Sequence, residues 1–271
     1  MDVQKEQVAN PLKHLHSNSK KKLAILAPLI TIAILFTVFT GGFLRDSPTR
    51  LIVIRVDDIQ DFAFREAQFF LIKNSIETGI PLSLAIITGM FGEDVELLEG
   101  VQKAVASGCE VGVHGWQHEN LANCLLNEQI SILFQAKSQI KELLGIDTRL
   151  LIPPMFSFDN NTIYAMHEEA YSVMSTCTDY HEPGYVSGIK NIPATVELSI
   201  LPNNVWQMKS VDSVKAEVER SFELYGYAVV VTHLQEFMLN RQLNQSAKET
   251  YSSLLSKLGE SCHFSTFEKL P

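Results

Sequence analysis

The chain reads as an α/β protein whose parallel sheet is rolled into a closed or nearly closed β/α barrel of seven to eight units. Three observations predict this. Short runs rich in β-branched residues alternate about seven times with amphipathic segments over residues 51–271, the pattern of strands joined by right-handed helical crossovers. Several helical segments stop at glycines, Gly79, Gly108 and Gly145, which accept the left-handed conformation that closes a helix. Acidic and histidine side chains gather just after the strands, where the active-site residues of such barrels collect.

The elements follow in order. "LIVIRV", beginning at Leu51, is a buried strand too short to span a bilayer. Residues 62–78 carry apolar positions at helical spacing up to Gly79. "PLSLAIIT" is the second strand and residues 94–107 the second helix; "EVGVH" is the third strand, followed by a long helix over 127–144. "RLLIPP" gives the fourth strand, residues 159–170 a helix with an acidic start, and "YSVMSTC" the fifth strand. Residues 178–207 are less regular, with several prolines and room for one more strand. A helix over 211–225, the strand "YAVVVTH", a helix over 244–258 and the terminal strand "HFSTF" complete the domain.

An appendage precedes it. Residues 23–44, "LAILAPLITIAILFTVFTGGFL", carry no charge and are long enough to cross about 30 Å of hydrocarbon as a helix. Lys20, Lys21 and Lys22 end the basic stretch 1–22, which orients that stretch to the cytoplasm. Residues 45–50 form a polar linker, so the domain at 51–271 is expected outside a plasma membrane that the chain crosses once. A cleaved signal peptide is the competing reading. The apolar part outruns the roughly 7–15 residues of such peptides, and no A-x-A-like site follows it. Five of the 22 basic and two of the 31 acidic residues precede Arg45, leaving 17 against 29 in the domain. That balance excludes nucleic acid as a partner on electrostatic grounds. Cys109, Cys124, Cys177 and Cys262 form no C-x-x-C pair; they fit disulfides in an oxidising space or small buried hydrophobes equally well.

Polar residues at the strand ends supply the chemistry. Asp57 and Asp58 stand side by side after the first strand. Two adjacent carboxylates there repel and are costly to desolvate, a cost that a cation offsets. One would coordinate it while the other serves as general base; the plainer reading has Asp57 capping the next helix and Asp58 solvated. His114 and His118 are four apart, a spacing that puts two imidazoles on one face of a helical turn, as zinc accepts. Two surface histidines would look the same. Trp116 between them is either a packing residue or an aromatic wall for a sugar ring. His233 ends "YAVVVTH", as a core histidine or as a general acid beside a metal.

This ordered series resembles the polysaccharide deacetylase family, with its NodB-homology domain, over roughly Leu51 to Phe267. "VDDIQ" stands at the family's T-F-D-D-G, "HGWQH" at H-[ST]-x-x-H, "IPPMF" at R-x-P-[YF] and "VTHLQ" at L-x-H. The resemblance implies a distorted β/α barrel and hydrolytic removal of acetyl groups from an N- or O-acetylated glycan of the cell envelope. It assigns Asp57 as general base, His233 as general acid, and Asp58, His114 and His118 as ligands of one divalent, zinc-like metal. The turn at Pro154, with the Met155 N–H as oxyanion donor, would face the substrate. The departures are specific. Gly115 replaces the Ser or Thr after the first histidine, and Ile152 stands where the family has the arginine that orients the base. Arg55, two residues before Asp57 and so on the same strand face, is the substitute, and Asp179 matches the acid that tunes the late histidine. These losses also admit other readings: a catalytically impaired metal- or glycan-binding module, or a metal-dependent amidase or esterase with another substrate.

Overall fold

The longest strand, β1 (Leu51–Ile59), has parallel neighbours on both sides and is buried along almost its whole length. It belongs to a computed structural model that describes residues 49–270. The expected cytoplasmic stretch 1–22, the transmembrane helix at 23–44 and most of the linker at 45–50 lie outside the described residues. Among those described, no helix is long and apolar enough to cross a membrane.

After β1 come α1 (Arg65–Thr78), β2 (Leu82–Ile86), α2 (Val95–Ala106), β3 (Glu110–Val113), α3 (Leu126–Leu144), β4 (Leu150–Leu151), α4 (Asn160–Glu168) and β5 (Val173–Met174). The irregular region holds β6 (Gly184–Val186), β7 (Ile189–Asn191), β8 (Val196–Glu197), β9 (Ser199–Ile200) and β10 (Gln207–Met208). Then follow α5 (Val211–Tyr225), β11 (Tyr227–His233), β12 (Met238–Leu239), β13 (Gln242–Leu243), α6 (Gln245–Gly259) and β14 (His263–Ser265).

The sheet is curled and mostly parallel, in the order β6-β7-β5-β4-β3-β2-β1-β11-β8, with β14 also on β1. Its two ends meet in one segment. Residues 190, 192 and 194 donate backbone N–H bonds to the β5 side, whereas Thr195 and Leu198 donate to Val229 and Val231 of β11. One segment, 184–197, thus supplies the strands at both ends of the sheet, β6 and β8, so the barrel is curled but not closed by a strand ladder.

Strand alternation divides the core into two layers. Ile52, Ile54, Val56, Leu82, Leu84 and Ile86 face the helices, where Leu71, Leu97, Val101 and Leu133 meet them. Val53, Ala85, Leu150, Ile152, Ile192, Ala194, Val229 and Val231 fill the interior of the curl, with Phe267 and Leu270 packed among them. Arg55 and Asp57 continue the interior row of β1 beyond Val53, and His233 continues that of β11 beyond Val231.

Most expected elements stand within a residue or two. Asp94 caps α2, accepting from the N–H groups of Glu96 and Leu97, and Asp159 and Asn244 cap α4 and α6. Gly79 and Gly145 end α1 and α3 at positive φ. The fourth and fifth strands are shorter than their apolar runs. Pro153 and Pro154 donate no N–H to a ladder, and beyond Met174 the Ser175 and Thr176 carbonyls bond the Arg55 guanidinium. All four cysteines are free thiols; Cys109, Cys177 and Cys262 are buried, in keeping with the reading as small hydrophobes.

Candidate metal and acid–base site

The register of β1 against β11 pairs Asp57 with His233, so the candidate base and acid sit on neighbouring strands at one rim. A bulge interrupts β1 between Val56 and Ile59, and Asp58 takes φ 69 there. In a regular strand, adjacent side chains point to opposite faces. The bulge re-aims one of them, and Asp tolerates the left-handed conformation better than most residues. Asp57 therefore turns inward to Arg55 while Asp58 turns to the histidines. The helix-cap reading of Asp57 does not hold, because the residue capping α1 is Phe64.

Arg55 is fully buried. Its Nε donates to Asp57 Oδ1 at 2.8 Å and its Nη2 to Oδ2 at 2.5 Å, a two-pronged fork. Nη1 donates to the Ser175 carbonyl and hydroxyl and to the Thr176 carbonyl. Burial alone would raise the Asp57 pKa, but the Arg55 guanidinium outweighs it, and His114 and His233 add to the lowering. Asp57 is thus held as a carboxylate, as a base must be. Ile152 leaves no arginine after β4, and Arg55 supplies the guanidinium from β1.

Asp58, His114 and His118 converge. Asp58 Oδ1 lies 3.4 Å from His114 Nε2 and 3.3 Å from His118 Nε2. Tetrahedral coordination at about 2.0–2.1 Å separates ligand atoms by roughly 3.3–3.4 Å, so the spacing fits a small divalent cation. His114 Nδ1 is 2.7 Å from the Ile152 carbonyl, which can only accept. Nδ1 therefore carries the hydrogen and Nε2 keeps its lone pair for a ligand. Burial would raise the Asp58 pKa, yet the two imidazoles hold it well below the usual carboxylate range. The carboxylate beside His118 raises that histidine's pKa. Gln235 Nε2 donates to Asp58 Oδ2 at 3.2 Å and fixes its second oxygen.

The two histidines do not share a helical turn. His114 follows β3, and His118 reaches back across a loop in which Gly115 has φ 76 and His118 φ 65. That loop is braced by Glu119, whose carboxylate accepts the N–H groups of Trp116 and Gln117, both at 2.9 Å. A Cβ on Gly115 would meet Glu119 Oε2 at 2.9 Å and Pro154 Cγ at 3.2 Å. The hydroxyl residue expected after the first histidine has no room here.

The remaining candidates are distributed around this centre. The half-buried Trp116 ring lies on Gly89, whose added Cβ would come within 2.6 Å of it, so one side of the ring is a packing contact. Pro154 is buried and Met155 exposed, in a tight turn with Met155 at φ 56. Asp179 groups with Cys177 and Glu197; the carboxylate in contact with His233 is Glu236, 3.5 Å from Nδ1. Burial lowers the His233 pKa, but Glu236, Asp57 and Asp58 outweigh it and raise it. Sequence reasoning missed Glu119, Gln235, Glu236 and Trp206, whose ring lies 4.9 Å from that of His233. Only the His-x-x-Glu spacing of His233 and Glu236 gave a signal.

Fold and site together define a curled parallel α/β domain with an Asp-His-His cation cradle beside an inward-facing Asp and His. The polysaccharide deacetylase family model matches residues 56–174, the stretch from β1 to β5 that holds Asp57, Asp58, His114 and His118. No curated protein matches the sequence. Three solved structures share the fold at low identity. The Xyl-CE4 domain of a multidomain xylanase from the hindgut metagenome of Trinervitermes trinervoides has TM-score 0.56 and 16% identity, covering 82% of this chain and 89% of that one. A family 4 acetyl xylan esterase from Clostridium thermocellum, in complex with a cobalt ion, has TM-score 0.54 and 11% identity, covering 78% and 84%. A CE4 family pseudoenzyme from Bacillus anthracis has TM-score 0.53 and 16% identity, covering 79% and 62%.

Proposed function

We propose that the chain is a metal-dependent hydrolase that removes acetyl groups from an N- or O-acetylated glycan of the cell envelope. The observation that carries this reading is the meeting of a cation cradle with a paired base and acid on one rim. Asp58, His114 and His118 would hold the ion, with zinc a natural fit to their N and O donors. A divalent cation bound there supplies Lewis acidity to the acetyl carbonyl and acidifies a water. Asp57, kept ionised by Arg55, would take a proton from the attacking water as the water oxygen bonds the carbonyl carbon. His233 gives its proton to the leaving nitrogen or oxygen as the bond to the acetyl carbon breaks. Pro153 and Pro154 carry no N–H, so Met155 is the first amide after Ile152 that can serve an oxyanion.

The charge-free stretch 23–44 supports anchoring in the plasma membrane with the domain outside. Ile152 and Gly115 favour a second reading, a module that binds metal or glycan without turnover, and a pseudoenzyme shares the fold. Arg55 weighs against it, since its fork keeps the candidate base ionised in spite of burial. The test is metal analysis of the full-length chain with a screen for acetate release from acetylated chito-oligosaccharides and acetyl esters. Stoichiometric metal with acetate release supports the enzyme, metal without release supports the binding module, and neither removes both.

A further inference from the structure

We propose that Glu236 is the positioning residue of His233, and that it stands in for Asp179, the acid the family pattern points to. This rests on the deacetylase reading for its kinetic consequences, but not for its geometry. Glu236 is buried and held at three points. Its Oε1 accepts the backbone N–H of His233 at 3.1 Å and lies 3.5 Å from His233 Nδ1. Its Oε2 accepts the Thr232 hydroxyl at 2.5 Å. A carboxylate fixed this way cannot swing away from the imidazole. It selects the tautomer with hydrogen on Nδ1 and leaves Nε2 to exchange a proton at the reacting centre.

The short turn Leu234–Phe237, which follows the histidine directly, carries this partner. The base is served alike, since Arg55 lies two residues from Asp57 on β1. Both charged supports that the family pattern places after the fourth and fifth strands have moved next to the residues they serve. Asp179 is left beside Cys177 and Glu197. The charged groups around His233 are Glu236 from its own turn, Asp57 and Asp58 from β1, and Glu197 from β8. Of these, Glu236 is the one that contacts the ring nitrogen while its other oxygen is anchored.

The arrangement predicts opposite effects from two substitutions. Glu236→Gln removes the charge, so the alkaline limb of the rate profile moves to lower pH and kcat falls roughly tenfold or more, with KM little changed. Thr232→Val keeps the volume but removes the hydroxyl that shares the carboxylate charge, so the limb moves to higher pH. Glu236→Asp restores part of the loss, and Asp179→Asn moves the limb less than Glu236→Gln. The ring of His233 is also followed directly, by nitrogen NMR of the full-length chain. Hydrogen on Nδ1, with a titration that falls in Glu236→Gln and rises in Thr232→Val, upholds the pairing even if no acetyl substrate is turned over. An unchanged titration in both variants overturns it, as does a shift reproduced by Asp179→Asn. If Glu236→Gln fails to fold, the sign of the Thr232→Val shift decides alone.

Discussion

Arg55 and Asp57 lie two residues apart on one strand and form a buried fork inside the curl of the sheet. The pair exists because strand alternation puts residues i and i+2 on one face. An arginine arriving from another loop is therefore dispensable, and the Ile152 side chain packs in the interior core instead.

Removing the guanidinium tests that substitution. Arg55→Met leaves a buried carboxylate unpaired and is expected to cost about 3–5 kcal/mol of stability. The acid limb of the rate profile moves to higher pH, because the Asp57 carboxylate no longer has the partner that lowers its pKa. Denaturant unfolding and a pH–rate series measure both effects. Unchanged stability and an unmoved acid limb would show that the fork is incidental.

Metal-free protein is expected to be more stable at pH 5.5 than at pH 8.5. The His118 pKa is raised in the folded state, so its contribution is present below the unfolded value and is lost as pH rises through the folded one. Asp58 acts in the opposite sense and at the acid end. Its depressed pKa stabilises above the unfolded carboxylate value and is lost only as pH falls through the folded one. Added zinc displaces the His118 proton, so it stabilises more at the higher pH. Melting curves with chelator and with zinc at the two pH values check the crossing.

Restoring the hydroxyl after the first histidine is expected to do harm. Gly115→Ser forces a side chain into φ 76 and against Glu119 and Pro154, at a cost of roughly 1–3 kcal/mol. Glu119→Ala frees the Trp116 and Gln117 N–H groups and is expected to weaken metal affinity about 10–100-fold through His118. Calorimetry of zinc binding reads both variants. Tighter binding in Gly115→Ser would contradict the packing argument.

Sequence pattern reached the helices and long strands because their apolar faces dictate period and length. The spans Tyr227–His233 and Val211–Tyr225 follow directly from such patterns. It also reached Asp57, Asp58, His114, His118 and His233, since polar groups at the ends of apolar runs stand out. Backbone sign was beyond it. Nothing in "HGWQH" announces that His118 takes positive φ, so a helical turn was the natural expectation. Glu119 and Glu236 were hidden for a different reason, because an acid near the start of a turn ordinarily reads as a solvated end residue. In the fold Glu236 is buried and Glu119 half-buried, and both carboxylates turn back onto backbone N–H groups two or three residues before them.

The cysteines give a separate check. Chain denatured without reductant is expected to yield four titratable thiols, because none of the four is paired. Two or none would restore the disulfide reading.

The central claim is that Asp57 does chemistry at a site whose cation is held by other residues. The most direct measurement compares acetate release and bound metal in the full-length chain and in Asp57→Asn. The expected result is one divalent ion per chain in both, with release in the variant lowered about 10²–10⁴-fold. Full activity in Asp57→Asn, or no bound ion in the active parent chain, would contradict it.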